Sequence, residues 1–429
     1  MPAEPPEPPA DKPLATKTTK DCISIVWPGT TYDGGAPVIG YKVEMCEDGQ
    51  NKWTILSKDV FSTGFAVKNV KEGKKYKFRV SCINTKGTSK PSKVSDAIAA
   101  VEAAGDEVDE EDEPDEKAFE PRKIAAKKGN IKEEYDIREE LGKGKFGTVN
   151  KCVEKKTKKM LAAKFIKIEK EADRKEVDHE VRIMQLLQHP KLLQLYDLYS
   201  AGKNMCLVLE YVSGGELFDR VISDEFELTE KEVTFFMRQI CEGVKFMHTQ
   251  KVLHLDMKPE NILCIRKNSN KIKIIDFGLA QIYKPGLSVS CGTPEFYAPE
   301  IVTYDPVAYT TDMWSVGVIC YILLSGFSPF VGDDEGETLS NIQEGEWDFD
   351  DECFDEISDP AKDFIENLLT LEQDERLEAS EALEHDWLKK EMKSAKALSK
   401  GRLKKYVIKK RWLKAFNAVR AMIRVKCVI

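Results

Sequence analysis

The strongest constraint on the fold of this 429-residue chain is a series of four short motifs between residues 141 and 300. The first is a glycine loop, whose residues without side chains let backbone amides close over a bound phosphate. Alone it is a weak signal, but a strand-like run follows it, whereas a dinucleotide-binding fold requires a helix there. A chance occurrence of all four in one order is negligible. The motifs are Leu141–Val149, His254–Leu263, Ile274–Gly278 and Ala298–Glu300.

In order and spacing these motifs resemble the glycine loop, catalytic loop, metal-binding triplet and activation-segment end of protein kinases. The resemblance covers about residues 131–388. It implies a bilobal α+β protein kinase fold that uses ATP and Mg²⁺. Phosphoryl transfer requires positioning and charge neutralisation, and the motifs carry residues for both.

The resemblance assigns roles in the catalytic and metal-binding loops. Asp256 orients the substrate hydroxyl and accepts its proton, and Lys258 lies near the transferred phosphate. Asn261 and Asp276 hold Mg²⁺ through the hard oxygen ligands that this ion prefers.

A second catalytic pair joins the strand after the glycine loop to a helix. Lys164 follows the loop at the distance suited to pairing with ATP phosphates, and it needs a carboxylate partner. Several acids within residues 169–180 fit by position alone, so Glu180 rests on the family resemblance. A solvated helix face is the alternative for that residue.

The nucleotide pocket is predicted from the same resemblance. Glu210 and Val212 bond the adenine through their backbone, and Glu216 contacts the ribose unless it is an exposed glutamate at a helix start. The full predicted set of ATP contacts is Leu141, Gly142, Gly144, Gly147, Val149, Ala162, Lys164, Leu209, Glu210, Val212 and Glu216.

Two sequences distinguish serine/threonine from tyrosine specificity. Both Lys258–Asn261, reading KPEN, and Gly292–Glu295, reading GTPE, have the serine/threonine form. The resemblance places Glu216, Glu260 and Thr293 in substrate binding. We therefore expect target peptides rich in lysine and arginine.

The activation segment departs from the commonest kinase pattern. Leu255 stands where many kinases have arginine, and Val289 replaces the usual phosphorylated threonine. Without that arginine an added phosphate gains no partner. Phosphorylation of the flanking Ser288 or Ser290 is then not required for activity, and control is predicted to lie elsewhere.

The N-terminal region predicts an all-β domain. Between residues 13 and 100, short alternating runs separated by turns indicate a β-sandwich, and Trp27, Tyr41 and Tyr76 lie at positions similar to those of fibronectin type III domains. We expect an adhesive or spacer role for it. Residues 1–12, rich in proline and glutamate, are predicted to be disordered, and residues 101–130 to form an acidic linker that buries no core.

The region 389–429 supplies a candidate switch. Its residues 389–426 hold fifteen lysines and arginines against one acid. Trp412, Phe416, Val419 and Val425 have the 1-5-8-14 spacing of anchors in a basic amphipathic helix, the type that calmodulin encloses. A membrane-surface helix or a helix packed on the kinase would have a similar pattern.

The sequence resembles the smooth-muscle-type myosin light chain kinases more closely, through Trp347–Asp350, Phe354–Ser358 and Leu398–Lys400. That resemblance implies myosin regulatory light chain as substrate, calmodulin as partner, Ca²⁺ acting through calmodulin, and a cytoplasmic location near actomyosin filaments. It also implies autoinhibition, with basic residues of the segment 393–411 in the groove of Glu216 and Glu260, namely Lys400, Arg402, Lys404, Lys405 and Lys409. Two alternatives stay open, namely a calmodulin-dependent kinase with another substrate and a pseudokinase scaffold.

Composition excludes several other classes. The start of the chain has no apolar signal region, and no run of about 18 apolar residues indicates a membrane span. Eleven scattered cysteines without a CxxC pair indicate reduced thiols, and the position of Cys427 does not fit prenylation. We expect no nucleic acid partner.

Overall fold

The computed structural model describes residues 4–18, 20–30, 32–36, 38–60, 63–101, 122, 124–144, 147–390 and 397–411. The chain divides into two compact units, residues 1–115 and 116–429. Each has its own buried apolar core. Within the described residues, no helix has the length and apolar character needed to cross a bilayer.

The first unit is a sandwich of two antiparallel sheets with strand orders β1-β2-β5 and β4-β3-β6-β7, and β8 also pairs with β6. Alternate residues point inward, which buries Ile23, Val43 and Phe78 completely. Trp27 packs edge-on against Tyr41, with ring centroids 5.5 Å apart. The predicted all-β domain is confirmed. Its strands are β1 (Leu14–Thr18), β2 (Cys22–Val26), β3 (Gly40–Glu47), β4 (Thr54–Val60), β5 (Gly64–Lys68), β6 (Lys75–Asn84), β7 (Gly87–Thr88) and β8 (Ile98–Ala99).

The N-terminal segment differs from the predicted disorder. Residues 4–12 lie along the loop before β3, where Glu4 N–H donates to Gly34 O at 2.9 Å and Ala10 N–H to Gly29 O at 3.0 Å. A Cβ at Gly34, whose φ is +77°, would lie 2.1 Å from Glu4 O. Residues 4–12 are ordered because the turn at Gly34 leaves room for their backbone to form these hydrogen bonds, which the composition of the segment does not predict.

The second unit begins with a six-stranded sheet of order β10-β11-β12-β14-β13-β9, antiparallel except where β9 joins β13. Helix α2 packs its apolar side, including Val177 and Met184, into the main core. The elements are β9 (Ala126–Lys127), α1 (Ile131–Glu134), β10 (Tyr135–Gly144), β11 (Gly147–Glu154), β12 (Met160–Lys167), α2 (Glu171–Leu186), β13 (Leu195–Ala201) and β14 (Asn204–Glu210).

A mainly helical lobe follows and contains most of the core. Helix α6 is buried on nearly every side and ends at Gly326, whose φ of +77° suits glycine. The lobe's last core residues are Trp387 and Leu388. Its elements are α3 (Leu217–Ile222), α4 (Glu230–Thr249), β15 (Val252–Leu253), β16 (Ile262–Cys264), β17 (Ile272–Ile274), β18 (Gln281–Ile282), α5 (Pro299–Val302), α6 (Tyr309–Ser325), α7 (Glu335–Glu344), α8 (Asp359–Leu368), α9 (Ala379–Glu384) and α10 (Asp386–Lys389).

A further helix, α11, covers residues 401–411 and lies against this lobe. Leu403 and Val407, one helical turn apart, are 1% and 6% exposed and belong to the main core. The bilobal kinase fold with a helical tail is therefore present. The predicted linker differs in part, because residues 124–127 of it join the second unit through β9.

Candidate active site

The glycine loop is the hairpin between β10 and β11. Gly142 pairs with Val149, and Gly144 with Gly147. A Cβ at Gly147 would lie 1.9 Å from the Phe165 carbonyl oxygen of the adjacent strand, so only glycine fits there. Leu141 is 44% exposed at the same hairpin. Among the described residues, apart from its own chain neighbours, no atom lies within 4 Å of a Cβ placed at Gly142, so a ligand has room beside this backbone.

The walls of the predicted adenine pocket come from two neighbouring strands. Ala162 of β12 is opposite Leu209 of β14, and both are buried. Glu210 is the last residue of β14, and its N–H donates to Gln194 O at 2.9 Å. Within the described residues the Val212 N–H has no backbone partner. The loop after β14 therefore has a donor, the Val212 N–H, available to an adenine edge.

Lys164 and Glu180 form an ion pair between β12 and α2. The Lys164 ammonium lies 2.7 Å and 3.1 Å from the two Glu180 carboxylate oxygens. Other acids in the region have local partners, since Asp173 accepts from the Lys170 N–H and Asp178 binds Arg174. The geometry therefore selects Glu180 among the acids that the sequence left open as partners of Lys164.

The catalytic loop gathers four polar side chains. The Asp256 carboxylate accepts from Lys258 Nζ at 2.6 Å and from Thr293 Oγ1 at 2.9 Å. Lys258 also donates to Thr293 at 3.0 Å. Asn261 Nδ2 donates to the Asp256 carbonyl at 2.8 Å. Asp256 is only 7% exposed, so its orientation is fixed before any substrate binds.

Asp312, which sequence reasoning missed, supports this loop from α6. Its carboxylate accepts from the backbone N–H groups of His254 and Leu255 at 2.9 Å and 2.8 Å, and contacts His248 Nε2 at 2.9 Å. Burial opposes the ionised form, but these donors lower the pKa of Asp312. A lone acid within the apolar run of α6 was the available signal.

Asp276 is exposed and has a left-handed backbone, with φ of +66°. The adjacent Phe277 is 1% exposed and packs against His254, with centroids 5.7 Å apart. A buried neighbour and a strained backbone thus hold the carboxylate toward solvent. Positive φ at a non-glycine residue is typical of functional sites.

An apolar cluster that includes Leu255 and Val289, the two positions that depart from the common kinase pattern, holds the activation segment. Leu255 is buried with Leu253, Ile301 and Val307, and Val289 packs against them. The neighbouring serines 288 and 290 are exposed. Hydrophobic contact therefore takes the place of the ion pair that arginine and a phosphate would make.

Tail helix α11 lies beside the predicted substrate carboxylates. Glu216, Phe218, Pro259 and Glu260 line one pocket together with four residues of α11, namely Tyr406, Val407, Lys410 and Arg411. Tyr406 Oη donates to Glu295 at 2.9 Å, and Lys410 forms an ion pair with the same carboxylate. Burial lowers the pKa of Lys410, and the Glu260 charge partly offsets this.

The basic residues expected in this groove lie elsewhere. Lys400 donates to the Ser223 carbonyl at 2.6 Å, Arg402 binds Asp351 and Lys404 binds Asp224. Lys405 and Lys409 are exposed. The prediction of these five residues was wrong because the helical period turns residues 403, 406, 407 and 410 toward the kinase. The predicted calmodulin anchors Trp412, Phe416, Val419 and Val425 lie outside the described residues.

Two domain families match the chain. The protein kinase domain covers residues 135–388, and the fibronectin type III domain covers residues 7–98. Within the described residues, no cluster of three or more His, Cys, Asp or Glu side chains would hold a metal by itself. A kinase metal site needs none, because Mg²⁺ takes one or two protein oxygens, waters and phosphates.

Sequence relatives indicate a narrower group of kinases than the domain match does. The chain is 46% identical over 428 residues to smooth muscle myosin light chain kinase of Gallus gallus, covering 97% of this chain and 22% of that protein. It is 53% identical over 274 residues to myosin light chain kinase family member 4 of Homo sapiens, covering 63% of this chain and 71% of that protein. The chain thus spans about a fifth of the first relative's length.

Two solved structures of kinase regions with flanking domains resemble this chain over most of its length. The twitchin kinase region from C. elegans has a TM-score of 0.65 at 35% identity, covering 96% of this chain and 76% of that one. Titin kinase with its flanking domains has a TM-score of 0.63 at 33% identity, covering 94% and 74%. The chain belongs to the protein kinase family, and within it to the serine/threonine kinases of the myosin light chain kinase group.

Proposed function

We propose that this chain is a Ca²⁺/calmodulin-activated serine/threonine kinase that phosphorylates basic sequences and is inhibited by its own tail. The observation that carries the proposal is the packing of α11 into the pocket that contains Glu216 and Glu260. A segment in that place competes with a basic peptide for the same carboxylates. Its removal is then the step that permits catalysis.

The catalytic roles follow from the hydrogen bonds of the loop. Asp256 orients the substrate hydroxyl and accepts its proton, because its carboxylate is held by Lys258 and Thr293. Lys258 is the cation nearest that carboxylate and balances charge on the transferred group. Asp312 acts through the loop backbone and keeps Asp256 in register.

The site fits ATP and Mg²⁺ on two observations. Asp276 offers an exposed carboxylate, and the Asn261 amide nitrogen faces Asp256, which leaves the amide oxygen for another partner. Both are hard oxygen ligands suited to Mg²⁺. Lys164, fixed by Glu180, would bind ATP phosphates. When bound, ATP supplies the phosphoryl group and Mg²⁺ neutralises its oxygens.

The inhibitory contact is supported by chemistry that resembles a bound basic peptide. Lys410 brings an ammonium and Tyr406 a hydroxyl to the buried Glu295, while Arg411 binds Asp219. Leu403 and Val407 add apolar burial beneath them. Release of α11 would expose Glu216 and Glu260 to a substrate.

Calmodulin is the proposed releasing partner. Its predicted anchors begin at Trp412, directly after the end of the described helix at residue 411. Binding of a partner to residues 412–425 would compete with docking of α11, whose last described residue, Arg411, pairs with Asp219 of the lobe. Ca²⁺ would act through calmodulin rather than on the kinase itself.

The proposed substrate is myosin regulatory light chain, because the relatives are named myosin light chain kinases. The proposed location is the cytoplasm near actomyosin filaments. A second candidate is a calmodulin-dependent kinase with another substrate. It is favoured by the twitchin kinase region, which matches 96% of this chain including the fibronectin-like unit. The complete set Lys164, Asp256, Asn261 and Asp276 argues against a pseudokinase scaffold.

A calmodulin titration tests the switch. Trp412→Ala removes the largest anchor, a truncation that costs about 2–4 kcal/mol at binding hot spots, so activation should need about 30- to 1000-fold more calmodulin. Activity without calmodulin should stay low, because α11 is unchanged. A chain ending at Ala395 should be active without Ca²⁺. If the truncated enzyme stays silent toward basic peptides, the tail is not the inhibitor.

A further inference from the structure

A short segment that precedes the matched kinase domain extends its sheet. Residues Ala126 and Lys127 form β9, which pairs in parallel with the edge strand β13 opposite Leu198 and Tyr199. Together with Arg122 and residues 124–125, this strand forms what we term the N-terminal brace. The kinase domain match begins only at residue 135.

Two glutamine side chains, Gln185 in the last turn of α2 and Gln188 just after the helix, bind the backbone of the N-terminal brace. The Gln188 amide accepts from the Arg122 N–H and donates to the Arg122 carbonyl, the latter at 2.7 Å. Gln185 Nε2 donates to the Ile124 carbonyl at 3.1 Å. The glutamine amides bond to backbone N–H and C=O groups of the brace, as a neighbouring strand would. These contacts therefore depend on where the backbone of the brace runs and not on the charge of its side chains.

Side chains of the N-terminal brace contact β13 as well. The Lys127 ammonium lies 3.0 Å from Asp197, and the Arg122 guanidinium lies 4.4 Å above the Tyr196 ring. Ile124 packs against the main core. The brace therefore ties one end of α2 to the sheet by polar, aromatic and apolar contacts.

We propose that the N-terminal brace is a positioning element for Glu180, and hence for the Lys164–Glu180 pair. Glu180 lies on α2, less than two turns before Gln185, and its carboxylate is 2.7 Å from Lys164 on β12. Helix and strand are separate elements, so the pair forms only while α2 keeps its place on the sheet. The brace joins the C-terminal end of α2 to β13, another strand of the same sheet. The inference rests on the proposed kinase function only for its activity readout.

The test uses the full chain with Gln185→Ala and Gln188→Ala combined. The matched control is Arg182→Ala, an exposed residue on the same helix. Hydrogen exchange of α2 amides should accelerate in the double variant and not in the control. With calmodulin present, kcat for a basic peptide should fall about three- to tenfold for each hydrogen bond that held the helix. Unchanged α2 exchange would overturn the inference.

A double-mutant cycle with Glu180→Gln distinguishes positioning of Glu180 by the brace from a general loss of stability of the kinase domain. If the brace acts through Glu180, its loss should change kcat little once the Lys164–Glu180 pair is already broken. Equal losses in both backgrounds would overturn the inference. If the double variant folds poorly, Arg122→Ala is the second variant, because it removes the guanidinium that lies over Tyr196 and should act in the same direction. If the parent enzyme is inactive but α2 amides still exchange faster in the double variant than in the control, the proposed function is refuted and the inference about the brace is supported.

Discussion

Leu403→Ala should free the tail from the kinase without altering any catalytic residue. Leu403 is 1% exposed on α11 and packs into the main core. Truncating a buried leucine to alanine costs about 2–5 kcal/mol. Here that cost falls on the docked state alone, because in the released tail the side chain is solvated.

The magnitude follows from a two-state equilibrium. If docking holds about 99% of molecules closed, a loss of about 2 kcal/mol raises the open fraction from about 1% to about one quarter. A loss of about 5 kcal/mol opens nearly all molecules. Activity without calmodulin should therefore rise about 20- to 100-fold, toward the calmodulin-saturated value.

The assay is initial-rate phosphorylation of a basic peptide with and without Ca²⁺/calmodulin. Lys405→Ala is the matched control, because Lys405 lies on the exposed side of the same helix. Thermal unfolding should show that the kinase core is intact in both variants. Parent-like low activity in a folded Leu403→Ala enzyme would refute α11 docking as the inhibitory contact.

Asp256→Asn should lower kcat by about 10²–10⁴-fold with ATP binding nearly unchanged, and activity within threefold of the parent would contradict the role of Asp256. Phosphatase treatment should leave calmodulin-saturated enzyme fully active, because Val289 belongs to an apolar cluster and needs no phosphate; silencing would show that a phosphate is required. Burial raises the pKa of Glu300, but Arg376 lowers it below 4.5, so the ionised form stabilises the fold above pH 4.5. The free energy of unfolding should then fall as the pH drops below 4.5, and Glu300→Gln should flatten that part of the profile; an unchanged profile would argue against the pair.

The sequence was sufficient for the class of fold, and the predicted catalytic residues stand in short motifs because phosphoryl transfer requires particular residue types around the transferred group. Glycines at the loop, carboxylates at 256 and 276, and an amide at 261 are local necessities that appear as motifs. The choice of Glu180 among nearby acids was different. Only the packing of α2 on the sheet decided which carboxylate reaches Lys164.

Long-range partners were beyond the sequence for the same physical reason. Asp312 supports the catalytic loop from a helix more than fifty positions away, and no pattern near His254 requires it. The N-terminal brace has the composition of a linker, yet Gln185 of α2 and Gln188 just after that helix bind its backbone. Composition indicated that the tail is basic, whereas the helical phase of α11 decided that Lys410, and not Lys405, faces the kinase. Motifs record chemistry within one segment, and tertiary packing selects which segments meet.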